Sequence, residues 1–161
     1  MKTYIGIDNG VSGTIAIIGD TIQTFFSKTP VVKVQDYTKA KKMISRLDAM
    51  SLYDRLKDLD PLNSFCLIER PMLNPTRWTA SISAARCHEA MLIIIELLRI
   101  PYAFVDSKEW QRKMLPKGFQ DGETKILSLQ VGNRLFPQFA GFKHPDRDAL
   151  LIAEYARRMN F

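Results

Sequence analysis

The stretch KTYIGIDNGVSGTIAII, residues 2–18, opens the chain with two apolar runs separated by a short, glycine-bearing break. Residues 2–8 alternate and are rich in β-forming side chains, and residues 14–18 are apolar again. Between them, Asn9-Gly10 and Ser12-Gly13 supply turn chemistry, so the pattern predicts strand, tight turn, strand. Gly19-Asp20 makes the next turn and residues 21–27 read as a third strand, giving an antiparallel three-stranded start. Asp8 ends the first strand, where its carboxylate projects into a cleft and the small residues after it leave room for a phosphate or a metal ion. Asp8 could equally do no more than organise the turn through local hydrogen bonds.

Working outward, residues 29–36 read as loop and residues 37–59 as a helix, with Met43, Leu47, Met50, Tyr53 and Leu56 on a connected face. Ser64–Glu69 looks like a short, fully buried strand, which suggests a central parallel position. Residues 70–77 hold two prolines and read as loop, and residues 78–98 as a long helix. Residues 101–105 make a fifth strand, and Ser107 can cap a short helix through residue 113. Residues 117–122 are a polar loop and residues 123–135 a helix. After a loop at 138–143, residues 145–159 form a final helix with a proline near its start. The order predicts one α/β domain spanning residues 1–161: a five-stranded mixed sheet, three antiparallel strands then parallel ones, flanked by helices.

The bulk properties agree with a globular domain of this size: 161 residues, 46% hydrophobic and 25% charged. No apolar run approaches the roughly 20 residues needed to span a bilayer, and residues 1–8 do not form a secretory leader. Cys66 and Cys87 lie in apolar segments at no metal or redox spacing and read as buried thiols of a reducing compartment. The net charge of +6 makes a polyanionic partner plausible.

Two further segments carry chemistry. In Leu67-Ile68-Glu69-Arg70, a glutamate ending a buried strand is costly unless it is paired or ligates a cation. Its neighbour Arg70 points to the opposite face of the strand. In the segment from Lys143 to Ala153, a helix beginning near Pro145 would place His144 and Asp148 four apart on one face. It would leave Asp146 facing solvent as a first-turn acid favoured by the helix dipole. Carboxylates and one imidazole from separate segments form a hard, oxygen-rich set suited to Mg²⁺ or Mn²⁺ rather than zinc.

At these residues the chain resembles the RuvC family of Holliday junction resolvases, which have the RNase H-like fold, and in detail its phage and plant-organellar branch. The matching motifs are Gly6-Ile7-Asp8 with Ser12-Gly13, then Ile68-Glu69. The last is Lys143-His144 with Arg147 and the run Asp148-Ala149-Leu150-Leu151-Ile152-Ala153. The resemblance covers nearly the whole chain in element order. It implies a metal-dependent endonuclease that resolves four-way DNA junctions, with Asp8, Glu69, His144 and Asp148 as catalytic residues and ligands of two Mg²⁺ or Mn²⁺ ions. The implied chemistry is in-line phosphodiester hydrolysis. Many bacterial members place the last two ligands three residues apart, where this chain has Pro145. The third ligand is therefore carried onto His144, with Asp146 as the fallback. An aromatic wedge that bacterial members carry after the glutamate is replaced here by Met72 and Leu73.

Arg70, Arg77 and Arg86 follow the catalytic glutamate, and Lys108, Arg112, Lys113 and Lys117 form a second basic group, with Phe119 as a candidate for base stacking. Lys39, Lys41, Lys42 and Arg46 form a third. A two-fold symmetric junction calls for a homodimer. The helix at 78–98, with Ala80, Ser83, Ala84, Met91, Ile94 and Ile95, offers enough apolar surface for an inner and an intersubunit face. The expected location is the cytoplasm of a bacterium or phage-infected cell, with an organelle as the alternative. Other flap or fork nucleases of this fold, a non-catalytic junction-binding protein and an actin-like ATPase are the competing readings. The last requires a second domain and a second glycine-rich loop.

Overall fold

A computed structural model describes residues 2–36, 39–120 and 122–161. The chain runs β1 (Thr3–Asp8), β2 (Thr14–Gly19), β3 (Phe25–Lys28), β4 (Val31–Gln35), β5 (Met43–Leu47), α1 (Ala49–Leu56) and β6 (Ser64–Glu69). It continues through α2 (Trp78–Leu97), β7 (Tyr102–Val105), α3 (Ser107–Met114), α4 (Thr124–Leu135) and α5 (Asp148–Met159). Five strands make one sheet in the order β3-β2-β1-β6-β7. The first three are antiparallel, whereas β6 pairs parallel to β1 and β7 parallel to β6. This is the mixed sheet that the sequence predicts.

Period-two alternation sorts the strand residues into two layers. Ile5, Ile7, Ile15, Ile17, Cys66 and Ile68 face α1 and α2. Tyr4, Ala16, Ile18, Phe26 and Leu67 face the opposite way, toward α3, α4 and α5. Asp8 continues the series of Tyr4 and Gly6, and Glu69 that of Leu67, so alternation aims both acids at the α5 side. The parallel register sets Ile7 beside Ile68, which brings the two acidic strand ends together. Both cysteines are free and buried, Cys66 in the sheet and Cys87 on the inner face of α2.

Two segments depart from the sequence reading. Residues 31–35, expected as loop, and 43–47, expected inside a helix, pair as an antiparallel hairpin with Val31 opposite Leu47 and Gln35 opposite Met43. The helix begins only after Asp48, whose carboxylate accepts the Ser51 N–H. Met43 and Leu47, four apart, satisfy both periods. The β-branched Val31, Val32, Val34 and Ile44 favour the extended one. The expected helix start at Tyr37 lies outside the described residues.

The second departure concerns α5, which begins at Asp148 and not at Pro145. Arg147, 1% exposed, holds the preceding chain in a loop around its guanidinium. Its Nη atoms donate to the carbonyl oxygens of Phe139, Phe142, His144 and Asp146, and its Nε donates to Asn133. The ring faces of Phe26 and Phe142 flank it at 5.6 and 6.0 Å. Four carbonyls drawn toward one guanidinium point away from a common helix axis, so residues 139–146 wrap the arginine. Smaller shifts are that β3 starts at Phe25 and that Asp106, not Ser107, stands before α3 without a side-chain capping bond.

The helix α5, buried from Ala149 through Ala156, lies directly on β1. A Cβ built on Gly6 would sit 2.1 Å from the Ala149 carbonyl oxygen and 2.5 Å from the Ala153 nitrogen, so only glycine permits this approach. We expect Gly6→Ala to lower stability by about 1–3 kcal/mol or more through overpacking against backbone. Gly141→Ala, where a Cβ meets nothing within 4 Å, should be close to neutral. Equal melting temperatures for the two variants would refute the close-approach argument.

Candidate active site

Asp8 at the end of β1 and Asp148 at the start of α5 meet because Gly6 lets the helix settle on the strand. Asp146, two residues before the helix, completes a group in which one carboxylate oxygen from each residue lies within 4.8 Å of the others. Asp146 is 3% exposed, which overturns the expectation that it faces solvent. That expectation needed a helix at residue 146. In the observed loop, the Asp146 carboxylate turns inward and accepts the Asp148 N–H at 3.4 Å. The side chain of Ser128 donates to the Asp148 carboxylate and accepts the Arg147 N–H at 3.1 Å, so α4 fixes the start of α5.

Glu69 stands outside that tight trio but shares a hollow of about 320 Å³ with Asp8 and Asp148. His144 lies beside Asp146 rather than one turn below Asp148. Its Nδ1 is 3.2 Å from Asp146 Oδ1, and its Nε2 is 3.2 Å from the Ser12 carbonyl oxygen. The imidazole thus ties the turn after β1 to the loop before α5, with both ring nitrogens against oxygen acceptors. A second hollow of about 470 Å³ contains His144, Asp146, Lys28 and Lys125, and it shares Asp8 and Asp148 with the first.

Crowded acids in low dielectric resist ionisation. Burial, then the charges of Asp148, Glu69 and Asp146, hold the Asp8 carboxyl well above the usual carboxylate range, with Lys125 pulling it back. Burial and Asp148 push Glu69 up to about 7. The Trp110 indole, which has no hydrogen bond of ordinary geometry among the described residues, opposes that rise by its proximity. Burial and Asp146 raise Asp148 to about 6, against the Ser128 hydrogen bond and the charges of Lys125 and His144.

This donor set fits a hard divalent cation. All its close ligand atoms are carboxylate oxygens, and Asn9 adds a buried Oδ1 with no hydrogen-bond partner among the described residues. Oxygen-only sets of this kind suit Mg²⁺ or Mn²⁺. Asn9, Lys28, Lys125 and Ser128 escaped the sequence reading. The Gly-Ile-Asp-Asn-Gly string could have nominated Asn9, but the other three gain their positions only from tertiary packing.

The residues expected to contact DNA are dispersed. Arg70 is exposed, 3.3 Å from Asp106 and over the Phe104 ring at 5.3 Å. Arg77 lines the hollow that holds Glu69. Lys108, Arg112, Lys113 and Lys117 are exposed on α3 and the turn after it. Phe119 is half-buried against the core, which limits it as a stacking platform. Met72 and Leu73, 82% and 60% exposed, project from the loop after Glu69.

No family model and no curated protein sequence matches the chain. Among solved structures, it is similar to Thermus thermophilus RuvC in complex with a Holliday junction substrate. The TM-score is 0.61 at 14% identity, covering 99% of this chain and 97% of that one. A structure of Thermus thermophilus RuvC alone gives a TM-score of 0.57, also at 14% identity, over 98% and 96% of the two chains. At that identity the likeness establishes the fold: a mixed five-stranded RNase H-like sheet flanked by helices, as in RuvC.

Proposed function

We propose that this chain is a metal-dependent endonuclease that cuts branched DNA, four-way junctions in particular, by phosphodiester hydrolysis. The observation that carries this reading is the convergence of Asp8, Asp146 and Asp148, with Glu69 beside them, on a fold shared with RuvC. The phage and plant-organellar branch remains an inference from short motifs. Asp8, Asp146 and Asp148 are the proposed inner ligands, with Glu69 completing the set across the first hollow. His144, expected as a ligand, is assigned to holding and orienting Asp146. When bound, two Mg²⁺ or Mn²⁺ ions would supply Lewis-acid stabilisation and water activation.

The protein's own residues do the rest. Ser128 fixes the rotamer of Asp148, and His144 fixes Asp146. Lys28 and Lys125 line one side of the acidic centre and Arg77 the other, where each can neutralise a flanking phosphate. Met72 and Leu73 stand where an apolar wedge could enter an open branch point. A symmetric junction calls for two such sites in a homodimer. On α2, Met91, Ile94 and Ile95 form the inner face, 0–5% exposed, whereas Ala80 is exposed and Ser83 and Ala84 are half-buried. The exposed apolar stripe of the same helix, formed by Trp78, Ile82, Ile93 and Leu97, is the proposed intersubunit face. No helix among the described residues is long and apolar enough to cross a membrane.

Cleavage of four-way, Y-shaped and linear DNA side by side, in Mg²⁺, Mn²⁺ and EDTA, tests the assignment. Asp8→Asn, Glu69→Gln, Asp146→Asn and Asp148→Asn should each lower junction cleavage by on the order of 10²-fold or more while junction binding persists. His144→Ala should cost about 10–100-fold, as expected of a residue that orients a ligand. A near-normal rate for Asp146→Asn would return the third ligand to His144.

The raised carboxyl pKa values give the site a stability signature. An acid whose pKa rises on folding binds more protons in the native state than in the unfolded one across the interval between the two values. Stability therefore falls as pH rises through it. For Asp148 and Glu69 that interval runs from about 4 to about 6 and 7. In EDTA, the melting temperature relative to that of Asp8→Asn should fall between about pH 4 and pH 7. Mg²⁺ or Mn²⁺, which bind the ionised acids, should raise it more at pH 8 than at pH 5. Melting curves indifferent to divalent ions at pH 8 would sink the metal assignment.

A further inference from the structure

The charge of this protein is concentrated in one segment, of which the proposed catalytic site uses only Lys28. Between Lys28 and Leu47 lie six of the 23 basic residues and one of the 17 acidic ones, so this segment carries five of the six net positive charges. The segment is β4 and β5 with the last residue of β3, and Lys28, Lys33, Lys39, Lys41, Lys42 and Arg46 are all exposed. The remainder of the chain is almost neutral overall.

The base of this hairpin is tied to the acidic centre. Strand register sets Asp8 opposite Thr14 and Thr14 opposite Lys28, so the three residues form a row across the sheet edge. The Thr29 N–H donates to the Gly13 carbonyl at 2.9 Å, and the Asp48 N–H donates to the Pro30 carbonyl at 2.9 Å. Lys28 lines the hollow that contains Asp8, Asp146 and Asp148. From there the ribbon extends over five paired positions, about 17 Å at the usual strand rise. Lys33 is braced by donating to Ser45 at 2.9 Å, and Lys41 turns the chain with a left-handed backbone, φ 50°. Val32 and Met43, 38% and 62% exposed, add apolar surface among the cations.

We propose that the β4–β5 hairpin is a docking arm for duplex DNA, laid along the phosphates of the arm that leaves the cleft past Lys28. This deepens the nuclease reading and rests on it for the location of the scissile phosphate. A continuous cationic ribbon starting at the site, with apolar side chains between the charges, complements a polyanion whose sugars offer apolar contacts. At about 3.4 Å per base pair, its length corresponds to about five base pairs of duplex.

The test uses the full chain with Lys33, Lys41, Lys42 and Arg46 all changed to Gln, and measures binding in EDTA to junctions and linear duplexes across a salt series. Each lost phosphate contact removes about 0.9 from the slope of log affinity against log salt. The slope should therefore become shallower by about 3, with at least a tenfold loss of affinity near 0.1 M salt. Shortening the junction arms below about five base pairs should weaken the wild type and leave the variant nearly unchanged. Met43→Lys, which adds a cation at an exposed position, should steepen the slope by about 1 and so guards against a folding defect in the quadruple variant. Identical slopes for wild type and quadruple variant overturn the proposal. So does an unchanged slope with a dimer-to-monomer shift on sedimentation, which would make the hairpin a contact between copies. If the slopes differ as expected but no DNA is cut in Mg²⁺ or Mn²⁺, the arm stands and the nuclease reading falls. If DNA is cut and the slopes coincide, only the arm falls.

Discussion

The seating of α5 on β1 is the contact on which the rest of the site depends. At Gly6 the helix backbone meets the strand with no side chain between them. That separation places the first turn of α5 within carboxylate reach of Asp8. A helix held one side chain farther out would still bury its apolar face, but Asp148 would no longer meet Asp8. Distance alone does not fix the site, because a helix can also begin in the wrong place. Arg147 removes that freedom: its guanidinium collects the four carbonyls of the preceding loop, ending the loop and starting the helix at one residue. Gly132 supports it from α4, where a Cβ would lie 2.3 Å from that of Arg147.

The same arrangement is electrostatically expensive. Asp8, Glu69 and Asp148 are all held above their ordinary pKa values, burial being the first cause for each and mutual repulsion the next. Folding alone therefore does not favour this cluster in its ionised form. It is imposed by apolar packing on both faces of the sheet, through Ile5, Ile7, Ile15 and Ile68 on one side and Leu67 and α5 on the other. Strain of this kind concentrates where function is exercised.

How far the sequence could be read follows from the range of the forces involved. Asp8 and Glu69 end apolar strands, and alternation is a local property, so their placement and the sheet that carries them were legible. Asp146 was not. Pro145 and the spacing of His144 and Asp148 imitate a helix start, and the loop carbonyls closing on Arg147, with Asn133 and Ser128 of α4 holding it, defeat it. The hairpin failed for a related reason. Met43 and Leu47 fit a helix as well as a strand, and the pairing that decides between them comes from Gln35 and Val31, eight and sixteen residues away in sequence. Ser128 and Lys125 lie on a helix of unremarkable pattern, and only its docking beside α5 gives them their neighbours.

A cluster of acids is a poor attractor for a phosphate backbone, and this constrains how the proposed reaction could be organised. Unneutralised, Asp8, Asp146 and Asp148 would repel the substrate. Attraction must come from elsewhere: Lys28 and Lys125 at one hollow, Arg77 at the other, and the cationic hairpin beyond. Those side chains are long, exposed and screened by salt, so they can hold DNA without specifying where it is cut. The acids, of which Asp146 is buried and Asp8 and Asp148 half-buried, would in the proposed reaction act on one phosphate but contribute little to holding it. In the proposed reaction, affinity and chemistry thus reside in physically separate groups, and the row Asp8, Thr14, Lys28 across the sheet edge is where the two meet.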